Sequence, residues 1–131
     1  MNGASGGRPD AWDEYRVAVI VVNFRTPALT EACVESLLRS RGVFPRIIVV
    51  DNHSRDDSVA RLSQLAATTG SVYVLARDRN DGYTGGNNAG LAMARQMQAR
   101  YAFILNSDTI VDPDCLRRLV EEMQQIGRAH V

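Results

Sequence analysis

Apolar runs alternate with polar, helix-spaced stretches from one end of the chain to the other. Val17-Ala18-Val19-Ile20-Val21-Val22 is continuous and rich in β-branched residues, the pattern of a strand buried on both faces, as parallel sheets require. Thr26 and Pro27 then open a helix as N-cap and first-turn residues, with Leu29, Ala32, Cys33 and Leu37 at helical spacing up to about Ser40. Ile47 to Val50 repeats the strand pattern, and Asp56-Asp57-Ser58 opens a second helix carrying Val59, Leu62, Leu65 and Ala66 before Gly70 stops it. Ser71 to Leu75 reads as a short third strand. A loop from Ala76 to Gly85 leads to a third helix from about Gly86 to Arg100, with Leu91, Ala92, Met93 and Met97 as its core contacts. Tyr101 to Leu105 forms the fourth strand. Asp112-Pro113 caps a last helix on which Leu116, Leu119, Val120 and Met123 share one face.

This βαβα alternation predicts an α/β fold, a mostly parallel sheet of about four strands with helices on both faces. Right-handed crossovers place every strand C-terminus on one rim, where open α/β sheets bind ligands. Three strand ends expected there carry polar clusters: Asn23-Phe24-Arg25-Thr26, Asp51-Asn52-His53-Ser54 and Asn106-Ser107-Asp108-Thr109.

Composition narrows the function classes. The 131 residues suit one domain, and 45% apolar content is enough to bury a core. Lys+Arg and Asp+Glu both number 15, so no overall field favours nucleic acid or an anionic membrane. The basic residues are all Arg, which carries little functional weight by itself. Cys33 and Cys115 lack metal or redox spacing and read as small buried hydrophobes. No stretch is long and apolar enough to span a membrane. A cytoplasmic location follows by default, with peripheral attachment of the full-length protein to an inner membrane left open.

The rim clusters suggest particular chemistry. Asp51 is the kind of strand-end carboxylate that accepts hydrogen bonds from a ribose or base edge; equally, Asp51, Asn52 and Ser54 can form a turn that caps the next helix. Between Gly82 and Gly90, four glycines allow close backbone approach, and the segment runs into a helix N-terminus that favours anions. Asn87 and Asn88 add amide groups, and Arg77 or Arg79 can pair with phosphate. The usual dinucleotide and P-loop signatures are absent. Asn106 and Asp108, two residues apart at a strand end, point the same way and suit a hard cation that keeps water and phosphate ligands. Trp12 and Tyr15 are expected to pack the leader onto the domain.

Together these blocks resemble the N-terminal, nucleotide-sugar-binding half of a family-2 glycosyltransferase with the Rossmann-like GT-A fold. The match runs from about Arg16 to Gln125. It rests on Val-Val-Asn-Phe, Val-Val-Asp-Asn-His-Ser, Asn80-Asp81-Gly82-Tyr83 continuing into Gly85-Gly86-Asn87-Asn88-Ala89-Gly90, and Asn106-Ser107-Asp108-Thr109 before Asp112-Pro113-Asp114. The glycine-asparagine block resembles the rhamnosyltransferase-like branch, which builds bacterial surface polysaccharides. The resemblance implies that Asn23 and Arg25 border the nucleotide, that Asp51 bonds the base with Asn52 and Ser54 beside it, and that Arg79, Asn80, Gly82, Gly85, Gly86, Asn87, Asn88 and Asn106 lie along the donor. Asp108 would hold Mg2+ or Mn2+ on the diphosphate in a variant D-x-D motif that begins with Asn106.

Further implications are a dTDP- or UDP-sugar donor, a glycan or lipid-linked acceptor, and inverting transfer in which an acceptor oxygen displaces the nucleoside diphosphate. The family's catalytic Asp would lie downstream of these residues, leaving this piece inactive alone. A nucleotidyltransferase-like domain or a non-catalytic nucleotide-binding domain are the alternatives. Residues 1–15 are expected to be a disordered leader, residues 16–125 a partial, truncated GT-A domain, and residues 126–131 a non-native tail beyond the last helical pattern.

Overall fold

In the computed structural model, which describes residues 12–129, the first strand is the centre of the molecule. β1 (Val17–Asn23) is buried along its whole length. It pairs in parallel with β2 (Arg46–Asp51) on one side and β4 (Tyr101–Leu105) on the other, and β3 (Val72–Ala76) adds to β2. The order β3-β2-β1-β4 makes an all-parallel sheet of four strands, so all four C-termini reach one rim. In register, Asn23 stands beside Asp51 and Val21 beside Leu105.

Side-chain alternation splits the core into two layers. Val17, Val19, Val21, Ile47 and Val49 face α1 (Pro27–Leu38), α2 (Ser58–Ala67) and α4 (Cys115–Ala129), through Cys33, Val34 and Leu37, Leu62, and Leu116 and Val120. Ala18, Ile20, Val22, Ile48 and Val50 face α3 (Gly82–Gln96) through Ala94, with Trp12 packed at the margin. Arg16 ties the chain entry to this layer: its Nε and Nη2 donate to the carbonyls of Gln98 and Met97, where a helix end needs cationic donors.

Three expectations need correction. The glycine-rich segment is not a loop: α3 begins at Gly82, and among its glycines only Gly82 has positive φ, at 93°. Glycine disfavours a helix by about 1 kcal/mol per residue, which misdirects a propensity argument; here close packing decides. A Cβ on Gly90 would stand 2.5 Å from Ile20 Cγ2, and one on Gly86 3.1 Å from Val22 and Asn52. The buried residues of α3 are thus Gly86, Asn87, Gly90 and Ala94; of the expected core contacts, Leu91, Met93 and Met97 are half-buried and do pack against this layer, while Ala92 is exposed.

β4 is also not buried on both faces. Tyr101, Phe103 and Leu105 pack into the first layer, whereas Ala102 and Ile104 are exposed because α3 lies over β1 and β2. Its outer edge has no pairing partner among the described residues. Lastly, α4 continues past Gln125 through Ile126 and Gly127 to Ala129. Leu116 and Val120 hold it to the core; Leu119 and Met123, expected on the same face, are exposed. Cys33 is buried as expected, and Cys115 is half-buried. Tyr15 and Trp12 do pack on the domain, while the leader before Trp12 lies outside the described residues.

Candidate functional site at the strand C-terminal rim

At the rim, β1 and β2 end in a sealed polar network. Asp51 Oδ1 accepts from Asn23 Nδ2 at 2.8 Å and from the Ser54 hydroxyl at 2.7 Å, and Oδ2 accepts from the Ser54 backbone N–H at 3.0 Å. The Thr30 hydroxyl of α1 donates to Asn23 Oδ1 at 2.6 Å. Asn23, Thr30, Asp51 and Ser54 are all buried, so each polar atom needs such a partner. The turn that makes this possible is strained: Arg25, His53 and Arg55 have φ of 59°, 61° and 59°, in the left-handed region that non-glycine residues enter at a cost. Arg25 is held there by two contacts with Ser54, its N–H to the hydroxyl and its Nε to the carbonyl.

Beside this network opens a cavity of about 510 Å³. Val22, Phe24, Thr26 and Leu29 make one wall, Asn52, Asn80, Gly82 and Tyr83 a second, and Asn106, Ser107 and Asp108 a third. Asn52 locks the second wall. Its Nδ2 donates to the Gly82 carbonyl at 2.8 Å and to Asn80 Oδ1 at 3.3 Å, and its Oδ1 accepts from Arg77 at 3.0 Å. Arg77 also pairs with Asp81, holding that carboxyl below the usual carboxylate range chiefly through the hydrogen bond. These bonds seat the start of α3 against the cavity; Asn80 Oδ1 takes the Gly82 N–H at 2.9 Å, and the positive end of the helix favours anions there.

The third wall is open. Asn106 and Asp108 are exposed, and Asn106 Oδ1 accepts from the Tyr83 hydroxyl at 2.8 Å. Beneath it, Cys33 Sγ lies 3.8 Å from the Asn106 carbonyl; burial, then the Asp108 charge, push its thiol pKa up to about 11. No group of three His, Cys, Asp or Glu residues able to hold a metal exists among the described residues. The exposed Asp108 carboxylate on this wall is the one group that could serve a hard cation taking most of its oxygens from phosphate and water.

Of the residues singled out from the sequence, Asn52, Asn80, Gly82, Asn106 and Asp108 line this cavity. Asn23, Asp51 and Ser54 lie in the network behind it. Arg25 is exposed and stacks its guanidinium on Phe24 at 4.9 Å. Arg79 is exposed, 3.8 Å from Asp81. Gly85 and Gly86 sit in the first turns of α3, Asn88 is exposed on that helix, and Asn87 is buried with Oδ1 unpartnered. The sequence reading did not assign Phe24, Leu29 and Tyr83 to the site. Their exposures of 40%, 51% and 50% show large apolar side chains left at the cavity, and only a strand-end or first-turn position hinted at it.

The model of the family described as glycosyl transferase family 2 matches residues 18–131. The chain belongs to this family. Among family relatives, the succinoglycan biosynthesis protein ExoO of Rhizobium meliloti is 34% identical over 85% of this chain and 30% of its own length. Glycosyltransferase GlyG of Streptococcus pneumoniae is 27% identical over 83% of this chain and 35% of its own. The chain thus spans about a third of the curated relatives it matches. Solved structures share the fold: S. aureus TarS bound to UDP-GlcNAc superposes with a TM-score of 0.69 at 17% identity, covering 84% of this chain and 31% of that one. A mannosyltransferase from Pyrobaculum calidifontis, in complex with GDP-Man and Mn2+, gives 0.67 at 21% identity, covering 85% and 32%. These neighbours establish a GT-A, Rossmann-like fold. Among the described residues, no helix is long and apolar enough to cross a membrane.

Proposed function

We propose that this chain binds the nucleotide-sugar donor of an inverting family-2 glycosyltransferase that builds a bacterial surface polysaccharide. The observation that carries the reading is the cavity itself, where an anion-favouring helix N-terminus and the exposed Asp108 meet across a partly aromatic wall. Phe24 offers a flat aromatic face, and Leu29 an aliphatic one, to a base or sugar ring. The Gly82 end of α3, with Asn52 and Asn80, suits the charged diphosphate. Asp51, buried and bonded to Asn23 and Ser54, is proposed to serve the donor by holding the strand ends behind the cavity rather than by meeting the base itself.

Asp108 is the residue that would hold Mg2+ or Mn2+, which when bound stabilises the negative charge of the leaving diphosphate. The solved neighbours carrying UDP-GlcNAc, or GDP-Man with Mn2+, support a donor of this class, and the succinoglycan relative supports a polysaccharide product. The donor is proposed to be a dTDP- or UDP-sugar and the acceptor a glycan or lipid-linked glycan. The acceptor base is assigned to a carboxylate outside these residues, so this piece alone transfers no sugar.

Calorimetric titration of the full-length protein with UDP, dTDP and GDP tests the reading. One of them should bind more tightly with Mn2+ or Mg2+, and Asp108→Ala should remove that increment. Equal metal enhancement in wild type and Asp108→Ala would overturn the metal role. Sugar transfer by the 131-residue piece would overturn the assignment of the base.

A further inference from the structure

We infer that Tyr83 is a positioning residue: its hydroxyl sets the side-chain amide of Asn106 so that Nδ2 faces the cavity and donates to an anionic oxygen of the donor. The inference rests on the donor-site reading above and divides its Asn106–Asp108 pair into two tasks. Asn106 addresses the anion, and Asp108 alone addresses the cation.

Tyr83 stands in the first turn of α3 and Asn106 follows β4, so their 2.8 Å hydrogen bond bridges two cavity walls. A primary amide has a single carbonyl acceptor and two N–H donors, whereas a carbonyl can only accept. The bond to Oδ1 therefore uses the phenol proton and leaves the amide nitrogen as the group Asn106 presents to a ligand. Oδ1 keeps one lone pair beside this bond, but a neutral amide oxygen that already accepts a proton is a weaker ligand for a hard cation than the exposed carboxylate of Asp108. Tyr83 itself is held in place from below, because Asn52 grips the Gly82 carbonyl and Asn80 the Gly82 N–H. At 50% exposure its ring does not carry the core, so removing the hydroxyl leaves the fold intact.

A double-mutant cycle on the full-length protein, with UDP as probe by calorimetry in the absence and presence of Mn2+, tests the relay. Tyr83→Phe and Asn106→Ala should each lower metal-free affinity by about 10-fold, the scale of one hydrogen bond. The double variant should fall no further than Asn106→Ala alone. The ratio of affinities with and without Mn2+ should stay at the wild-type value in all three, and rise in Asn106→Asp. In 15N NMR spectra the Asn106 side-chain amide pair should shift on UDP addition in wild type and not in Tyr83→Phe, a signature that a merely structural tyrosine would not produce. Additive losses in the double variant, or an Mn2+ ratio that collapses in Asn106→Ala, would overturn the inference while leaving the donor site standing. A wild-type protein that binds no UDP, dTDP or GDP would overturn the donor-site reading and this inference with it.

Discussion

Two parts of the same rim, the paired ends of β1 and β2 and the end of β4, carry similar polar sequences and do opposite things. At the β1–β2 end, Asn23, Asp51 and Ser54 turn inward, bond one another and Thr30, and are buried. At the β4 end, Asn106 and Asp108 stay exposed on the cavity, and one bond from Tyr83 is the side-chain contact that Asn106 makes across it. Position in the sheet explains the difference. β1 and β2 are interior strands flanked by helices on both faces, so polar groups at their tips must be satisfied internally. β4 is an edge strand with one face uncovered, so its tip stays hydrated and free for a ligand. Asx-rich strand ends are thus a framework at the centre of a sheet and a reactive surface at its margin.

Substitution of the two aspartates should break this comparison most visibly. Asp51→Ala leaves the Asn23 amide, the Ser54 hydroxyl and the Ser54 N–H without their acceptor, and should cost about 3 kcal/mol or more. Asp108→Ala should stay within about 0.5 kcal/mol of wild type. Urea denaturation of both variants measures the contrast, and equal losses would mean that the two tips are built alike.

Gly90→Ala sharpens the comparison by loading the interior side alone. The new methyl would meet Ile20 Cγ2 at 2.5 Å, and Ile20 is fully buried with nowhere to move. Overpacking of this kind costs about 1–3 kcal/mol, against a gain of up to about 1 kcal/mol in helix propensity. A melting temperature at or above that of wild type would show that α3 can lift off the sheet.

The smallest effect concerns pH. Asp81 has its carboxyl lowered by Arg77, so the folded state holds its proton less tightly than the unfolded chain. The sign follows: the Arg77 clamp contributes fully above the ordinary aspartate value of about 3.9, and is lost as pH falls through the lower folded value. Acid titration should show a slight extra loss of stability below about pH 4 that is absent in Asp81→Asn. No difference between the two curves would remove the clamp from the account of the second cavity wall.

The repeating strand and helix pattern was legible in the chain because each buried strand must be apolar at every position and each helix apolar at every third or fourth. β1, β2 and the approximate bounds of α1 and α2 could be read this way, and the four motif blocks by their resemblance to the family. The start of α3 could not. Its glycines signal a loop by propensity, and only Ile20, Val22 and Val50 pressing against Gly86 and Gly90 explain why a helix needs them. Nor could the chain say which of its apolar residues would be left out of the core: Leu29 has helical spacing yet stands on the cavity, and Ile104 sits in a uniformly apolar strand yet faces outward.

Sequence by itself determined the alternation of elements, the parallel sheet and the polar character of three strand ends, because these follow from local periodicity and from the chirality of crossovers. Tertiary structure alone decided what each polar end became. Asp51 and Asp108 are the same side chain at the ends of parallel strands, and the neighbours around each made one a buried acceptor and left the other open to solvent. Burial is a property of the assembled layers, so no window of the sequence contains it.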